Sequence, residues 1–443
     1  MDQNISRTKK AKKNIIAMIG IKGLMLGVSF LYIPLLLHTL DTVNYGIWLT
    51  LTSIVVWIGM FDIGLGNGLR NKLSEALARN DIKRGRELVS TAYGCIFAFI
   101  GAVSIIFISV YRFLPWNEIL GATDKNIDGL DSLVLIVVLS FCLQFALGLL
   151  NSILFALQHP AISSLITMLG QLISFCAVYL MAKVFEINSL FVLGSVISVI
   201  PPTVLLISSI IIFTTKYRYL SPSVFLFRKL HILSIFSIGI KFFFLTIITL
   251  VLYQTNNLII THTVNSTAVV DYNISYKLVH ILPMIFGIIC TPIWSATTEA
   301  YTLGDFNWIK RINRKLLKIA NLFTLGGIAL IAVSPYIYQI WLGKNDLNIQ
   351  YSTTSLIFLQ ATFFIYYQCY GYILNGIGKL KAQLVFTSIL AILYIPVAIM
   401  LGKLLGLNGV LIAFVLNAMF NVLWSKIQYG KIIKGTAFGI WNQ

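Results

Sequence analysis

Residues 14–37 read NIIAMIGIKGLMLGVSFLYIPLLL and residues 232–255 read ILSIFSIGIKFFFLTIITLVLYQT. Each run carries one charge, and both place it in the same tetrapeptide, Ile19-Gly20-Ile21-Lys22 and Ile238-Gly239-Ile240-Lys241. As a helix rising ~1.5 Å per residue, either run is long enough to cross ~30 Å of hydrocarbon. A lysine inside a span is costly, so its recurrence at matching places in two halves points to a shared functional surface.

Similar runs recur along the chain at 44–66, 89–111, 132–157, 160–182, 189–214, 269–297, 317–341, 352–375, 381–402 and 407–429, which with the first two predicts twelve spans. The chain is 58% hydrophobic and 11% charged, with a mean hydropathy of +0.87, too little polar surface to clothe a soluble globule. Continuous runs, not ten-residue alternating segments, exclude a transmembrane barrel and predict an all-α integral membrane protein. No Ala-x-Ala cleavage site follows the first run, which reads as a retained span.

The net charge of +18 reflects topology. With the N-terminus in the cytoplasm, 25 of the 33 lysines and arginines fall in the inner loops and tails, so the positive-inside rule puts both termini in the cytoplasm. These charges are dispersed over loops and predict contact with anionic bilayer lipid, not nucleic acid. The five cysteines sit in apolar segments without metal spacing and read as small hydrophobes.

The halves match beyond the lysines. Val43-Asn44-Tyr45-Gly46-Ile47 pairs with Val270-Asp271-Tyr272-Asn273-Ile274, and Ser74-Glu75-Ala76 with Asp81 pairs with Thr298-Glu299-Ala300 with Asp305. Three ordered matches predict a repeat of six spans, at 1–214 and 232–443, joined by a cytoplasmic linker at 215–231. An even number of spans relates the halves by an axis along the membrane normal, with a substrate site expected between them. The stretches 67–88 and 298–318 read as basic amphipathic helices on the inner leaflet, and Gly23/Gly27 as a small-xxx-small packing signal.

Candidate site residues follow from charge in the spans. Lys22 and Lys241 lie roughly 12 Å into their spans at ~1.5 Å per residue; they either line a cavity or snorkel back to the headgroups. Lys277 and His280, spaced i and i+3, would line an electropositive path with Arg70. A phosphate or carboxylate in low dielectric needs such charges, and lysine acts as a point charge suited to a ligand that slides. Asp62 reads first as a structural partner or helix cap. Asn257 and Tyr272 offer hydrogen-bonding and stacking surfaces to sugars, although interfacial belts also hold tyrosines. No Walker A pattern, zinc motif or nucleophile elbow occurs, and no catalytic residue or cofactor is expected. The energy source is then a proton or sodium gradient, the membrane potential, or product consumption.

The stretch Tyr45-Gly46-Ile47-Trp48 through Phe61-Asp62-Ile63-Gly64-Leu65-Gly66-Asn67-Gly68-Leu69-Arg70, followed by Glu75 and Asp81, resembles the Wzx-like polysaccharide-biosynthesis flippases of the multidrug/oligosaccharidyl-lipid/polysaccharide superfamily. In the second half the resemblance rests on Asn257-Leu258-Ile259-Ile260, Tyr272, Pro292 and Asp305. It implies a V-shaped pair of six-helix bundles that moves undecaprenyl-pyrophosphate-linked oligosaccharide, such as an O-antigen repeat unit, outward across the bacterial inner membrane by alternating access. A polymerase and a chain-length regulator of the same pathway are the expected protein partners. Asn256-Asn257 stands where such flippases often have an acid, which argues against a cation-binding role there. Two alternatives remain open: a multidrug/cation antiporter of the same superfamily, which would want a buried carboxylate, and a membrane-embedded polymerase or glycosyltransferase, which would want an acid/base cluster.

Overall fold

The computed structural model describes residues 2–40, 44, 45, 47, 48, 50–52, 64–120, 129–264, 266–342 and 350–443. Asp62, Val43, Gly46, Trp57, Phe61, Ile63, Lys125 and Lys344 lie outside the described residues, as do the side chains of Pro34, Tyr253 and Gln254.

All regular structure among the described residues is helical. The chain runs through α1 (Asp2–Thr39), α2 (Leu65–Ala78), α3 (Ile82–Val110), α4 (Leu130–Leu147), α5 (Leu149–Ala156), α6 (Pro160–Lys183) and α7 (Leu190–Thr214). It continues through α8 (Lys229–Thr263), α9 (Ser266–Val279), α10 (Ile281–Thr302), α11 (Phe306–Leu342), α12 (Tyr351–Ile377) and α13 (Lys381–Ile433). Among the described residues eight helices are long and apolar enough to cross a membrane, and Asn14–Ser29 is a shorter apolar helix. The 53-residue α13 divides at Gly406, whose φ of 61° and ψ of −144° are not helical. The protein is an all-α, multi-pass membrane protein.

The chain forms two compact units, Thr8–Ile240 and Lys241–Gln443 with Met1–Arg7. In the first, Leu69, Leu73, Leu88, Leu150 and Ile153 pack into one core, and Leu40, Trp48, Leu133 and Leu193 into another. In the second, Phe286, Cys290, Ile365 and Ile373 form one core, and Ile260, Ala361, Ala398 and Val410 the other. Outward faces are also apolar, with Ile105, Ile207, Ile392 and Leu404 exposed, as expected of helices whose solvent is lipid. Helix α12 is less apolar than those eight helices because Thr353, Thr354, Gln360 and Gln368 lie on it, yet all four are buried. Its polar positions point into the unit, where neighbouring helices supply partners.

The repeat is visible in the helical hairpins α2–α3 and α10–α11. Asp81 and Asp305 are 224 positions apart, and each side chain accepts a hydrogen bond from the backbone N–H three residues on, Arg84 and Trp308, at 3.0 Å. The residue before each aspartate has a positive φ, 57° at Asn80 and 74° at Gly304. The backbone N–H of each aspartate bonds back across the turn, to the Ala76 carbonyl at 2.9 Å and the Ala300 carbonyl at 2.8 Å. These turns correct the expectation of separate surface helices at 67–88 and 298–318. The polar residues there are the ends of long helices that reverse within three residues, because a left-handed residue followed by an N-capping aspartate closes the turn. The span expected at 269–297 is present as Asp271–Thr302, kinked at His280, since Pro283 has no N–H to give the Val279 carbonyl.

Among the described residues Gly23 and Gly27 do not mediate packing, because a Cβ on either meets no atom within 4 Å. The close approach is made instead by the glycines that open α2. A Cβ on Gly64 would lie 1.9 Å from the Gly239 carbonyl oxygen, and one on Gly68 would lie 2.3 Å from that of Ile235. Gly64 also has a φ of 67°, in the left-handed region. The first turns of α8 therefore cross α2 backbone to backbone.

Two predictions follow from these contacts. Gly64→Ala should lower thermal stability by at least the ~1–3 kcal/mol of a strained backbone, while Gly23→Ala should leave the melting temperature in detergent unchanged. Equal losses for the two would remove the crossing as a fold determinant. Asp81→Ala and Asp305→Ala should each cost about 1 kcal/mol, and matching shifts in chemical unfolding would reflect the matching geometry.

Candidate functional site

Helix α1 carries Lys22 on its packed face. At 100° per residue Asn14, Met18, Lys22, Met25, Ser29 and Tyr32 share one stripe, and this stripe meets the α6 region at three levels. The Asn14 amide donates to the Gln158 carbonyl at 2.8 Å, the Gln171 amide to the Ser29 hydroxyl at 2.7 Å, and the hydroxyls of Tyr32 and Ser174 bond at 2.8 Å. Lys22 is half-buried within that stripe, whereas Leu24 and Leu31 face outward. No carboxylate pairs with it among the described residues.

Within the same unit, Gln144, Asn151, Ser152 and Thr167 line a cavity of about 360 Å³ with Gly66 and Pro201. Asn151 accepts from the Ser163 hydroxyl at 2.8 Å, and a Cβ on Gly66 would meet Ser152 Oγ at 2.6 Å. Arg70, one turn beyond Gly66 on α2, is only 3% exposed, and its guanidinium carbon sits 5.0 Å from the centre of the Phe155 ring. Phe155 therefore covers one face of the buried guanidinium.

In the second unit Lys241 is half-buried, beside Phe242, whose ring lies 5.1 Å from that of Trp294. The cations it senses most strongly are Lys381 and Lys379, so three positive charges converge at this end of the unit. Lys379 donates to the Asn442 carbonyl at 2.6 Å, and Lys381 Nζ bonds Gln443 Oε1. Lys277 is exposed, while His280, three residues on, is turned toward Gln360 and Tyr276.

A neutral polar and aromatic network fills the interior of the same unit. Asn256 donates to the Tyr272 hydroxyl at 3.1 Å and accepts from the Tyr394 hydroxyl. Asn273 donates to Asn257 at 3.1 Å. His280 bonds Gln360 at 3.0 Å and stacks on Tyr276 with ring centres 3.7 Å apart. Gln360, Phe364, Tyr367, Asn417 and Asn421 then line a cavity of about 60 Å³. These groups offer amides, hydroxyls and ring faces, and among the described residues no three His, Cys, Asp or Glu side chains stand close enough to hold a metal ion.

Asn257, Tyr272 and His280 stand out in the sequence, whereas Gln360, which bonds His280, Tyr394, which bonds Asn256, and the cavity-lining Asn417 and Asn421 do not. The repeat spacing marks other polar positions. Gln144 and Asn151 recur 224 positions later as Gln368 and Asn375, the same spacing as the capping aspartates. Ser74 and Thr298 repeat it again, each reaching a carbonyl of the polar helix, Ala156 at 3.4 Å and Gly376 at 2.7 Å.

Solved structures with this fold are transporters. A Vibrio cholerae MATE transporter superimposes with a TM-score of 0.79 at 11% identity, covering 100% of both chains. An outward-facing multidrug resistance MATE transporter of the MOP superfamily gives 0.76 at 14% identity, over 96% of this chain and 97% of the other. A MOP superfamily transporter from Pyrococcus furiosus gives 0.73 at 13%, over 97% of each. By sequence, a Salmonella typhimurium protein provisionally named an O-antigen transporter is 24% identical, over 91% of this chain and 92% of its own. A Yersinia pseudotuberculosis protein provisionally named an O-antigen export protein is 22% identical over 90% of both. The model of the family described as polysaccharide biosynthesis protein matches residues 11–297, more than half of the chain, and the protein belongs to that family.

Proposed function

We propose that the protein is a flippase that moves a lipid-linked oligosaccharide across the bilayer by alternating access. The observation that carries this reading is the pair of half-buried lysines, Lys22 and Lys241, one on the first long helix of each repeat and neither paired with a carboxylate among the described residues. Cations held this way favour an anionic cargo such as a diphosphate, since an unpaired anion in low dielectric is heavily penalised. The neutral amides and aromatic faces around Asn256, Tyr276, His280 and Gln360 suit hydroxyl-rich sugar rings, which need hydrogen bonds and stacking more than charge. The names given to the Salmonella and Yersinia relatives agree with a polysaccharide cargo.

In this reading Lys22 and Lys241 hold the phosphates, and Arg70, Lys277, Asn257, Tyr272 and His280 contribute along the route. Asp62 keeps the structural role suggested by its place before the Gly64 turn. The cargo moves outward across the bacterial inner membrane, with both chain termini in the cytoplasm. A proton gradient, sodium gradient or membrane potential drives it, and the polymerase and chain-length regulator of the pathway act next.

A multidrug antiporter on the same fold is the competing function. Such a transporter holds cations, and here the charged positions on α1 and α8 within the spans are lysines. Drug accumulation in cells with and without the protein separates the two, since a flippase leaves it unchanged.

Replacing both Lys22 and Lys241 by alanine should abolish polymer export at matched protein abundance. Each contact of a charged donor with a phosphate is worth roughly 1.5–3 kcal/mol, about tenfold or more in affinity. Lysine-to-arginine variants should retain partial export, because charge is restored with a different shape. Normal surface polymer in the double-alanine strain would return both lysines to a snorkelling role.

The orientation has its own test. A reporter fused after Gln443 should be active only as a cytoplasmic fusion, and one inserted in loop 112–131 only as a periplasmic fusion. The reverse pattern would overturn the charge-based topology.

A further inference from the structure

Helices α3 and α7 of the first unit border a groove of about 680 Å³, lined by Tyr93, Phe97, Leu147, Ile210, Phe213 and Phe227 among others. Its third wall is the segment that joins the two sequence repeats, and this wall is fastened in place. Arg86 Nε donates to the Ser221 carbonyl at 2.9 Å. The Ser223 N–H donates to Ser90 Oγ at 3.0 Å, and the Arg228 N–H to Thr91 Oγ1 at 3.1 Å. The Phe227 ring lies flush on α3 because position 94 is glycine; a Cβ there would come 2.7 Å from Phe227 Cδ2.

Three observations indicate what the groove takes. First, Phe97 and Ile210 are exposed at its edge, on faces of helices long and apolar enough to span a membrane, so it opens to lipid. Second, Val224 and Phe225, at the tip of the connecting segment, are 90% and 93% exposed. Exposed cations flank them, Lys216 and Arg218 on one side and Arg228 and Lys229 on the other. Glu87, the acid facing this segment, is engaged by His231 at 3.1 Å and Arg228 at 3.7 Å. An aliphatic-aromatic tip between cations is the pattern of a segment seated at an anionic membrane surface. Third, the Tyr93 hydroxyl is sealed from solvent and has no hydrogen-bond partner among the described residues, in a residue that lines the groove.

We propose that this groove binds an anionic glycerophospholipid of the surrounding bilayer. One acyl chain lies along Tyr93, Phe97 and Phe213, and the phosphate is held by the basic residues on either side of Val224-Phe225. An ester carbonyl at the head of the chain satisfies the Tyr93 hydroxyl, a contact that a polyisoprenoid chain lacks the oxygen to make. The segment between the repeats is then anchored to the inner leaflet by a lipid as well as by its own apolar tip.

Native mass spectrometry of the full-length protein, taken from nanodiscs of mixed phosphatidylglycerol and phosphatidylethanolamine, tests this. Phosphatidylglycerol should be retained about fivefold over phosphatidylethanolamine for each effective cation. A phosphatidylglycerol with a photoreactive acyl chain should label peptides spanning residues 90–97 and 209–227. Ile210→Trp, at the exposed groove edge, should remove the label, while Ile106→Trp on an outward face of the same unit should keep it. Tyr93→Phe should reduce lipid retention with an unchanged melting temperature in detergent, and Lys216→Gln with Arg218→Gln should erase the preference for the anionic lipid. Equal retention of the two lipids by the parent protein, labelling that ignores Ile210→Trp, or preferential labelling by a photoreactive polyisoprenyl phosphate would each overturn the proposal. None of these readouts depends on transport, so they stand apart from the flippase assignment.

Discussion

Hydrocarbon supplies no partner for a backbone N–H or C=O, so every span must satisfy its own, and the rest of the architecture follows from that constraint. Helices satisfy it along their length, and the difficulty moves to their ends. At the hairpins of α2–α3 and α10–α11 the chain solves it with a left-handed residue followed by Asp81 or Asp305, which captures an otherwise orphaned N–H. Where helices cross closely, glycine permits backbone contact, as at Gly64 and Gly68 against α8. Polar side chains within the spans obey the same rule and point inward to one another, as Asn256, Tyr272 and Tyr394 do.

The helical class and the repeat were legible because each leaves a one-dimensional trace. Long apolar runs announce spans, and the matched lysines and capping aspartates announce duplication. Which glycine packs was not legible. Gly23/Gly27 and Gly64/Gly68 have the same spacing, and only the path of α8 decides that the second pair meets a neighbour while the first faces outward. The reversal at Asn80 was hidden for a related reason: a charged stretch reads alike whether it is one surface helix or the two ends of long ones. At the site, Asn257, Tyr272 and His280 stood out, but Gln360, Asn417 and Asn421 are single polar residues in apolar helices, and only their three-dimensional convergence distinguishes them.

The two units use their interiors differently. The first places Lys22 on a polar stripe of α1, holds a cavity of about 360 Å³ lined by amides and hydroxyls, and buries Arg70 against Phe155. The second gathers Lys241, Lys379 and Lys381 at one end and fills its interior with neutral amides and aromatic rings. The repeated scaffold carries both kinds of surface through differences at a few positions, while the turns that hold each bundle together stay alike.

The boundary between the units falls inside a helix. Residues 229–240 of α8 count with the first unit and residues 241–263 with the second, so the point at which the sequence repeats and the point at which the compact bodies part are different. The repeats are therefore not interchangeable cassettes. A recombination joint at 215–231 would give the second half a new neighbour and leave the first half without the helical turns that meet Gly64, Gly68 and Glu87. A hybrid spliced from two relatives would have to carry the α2 surface together with residues 229–240.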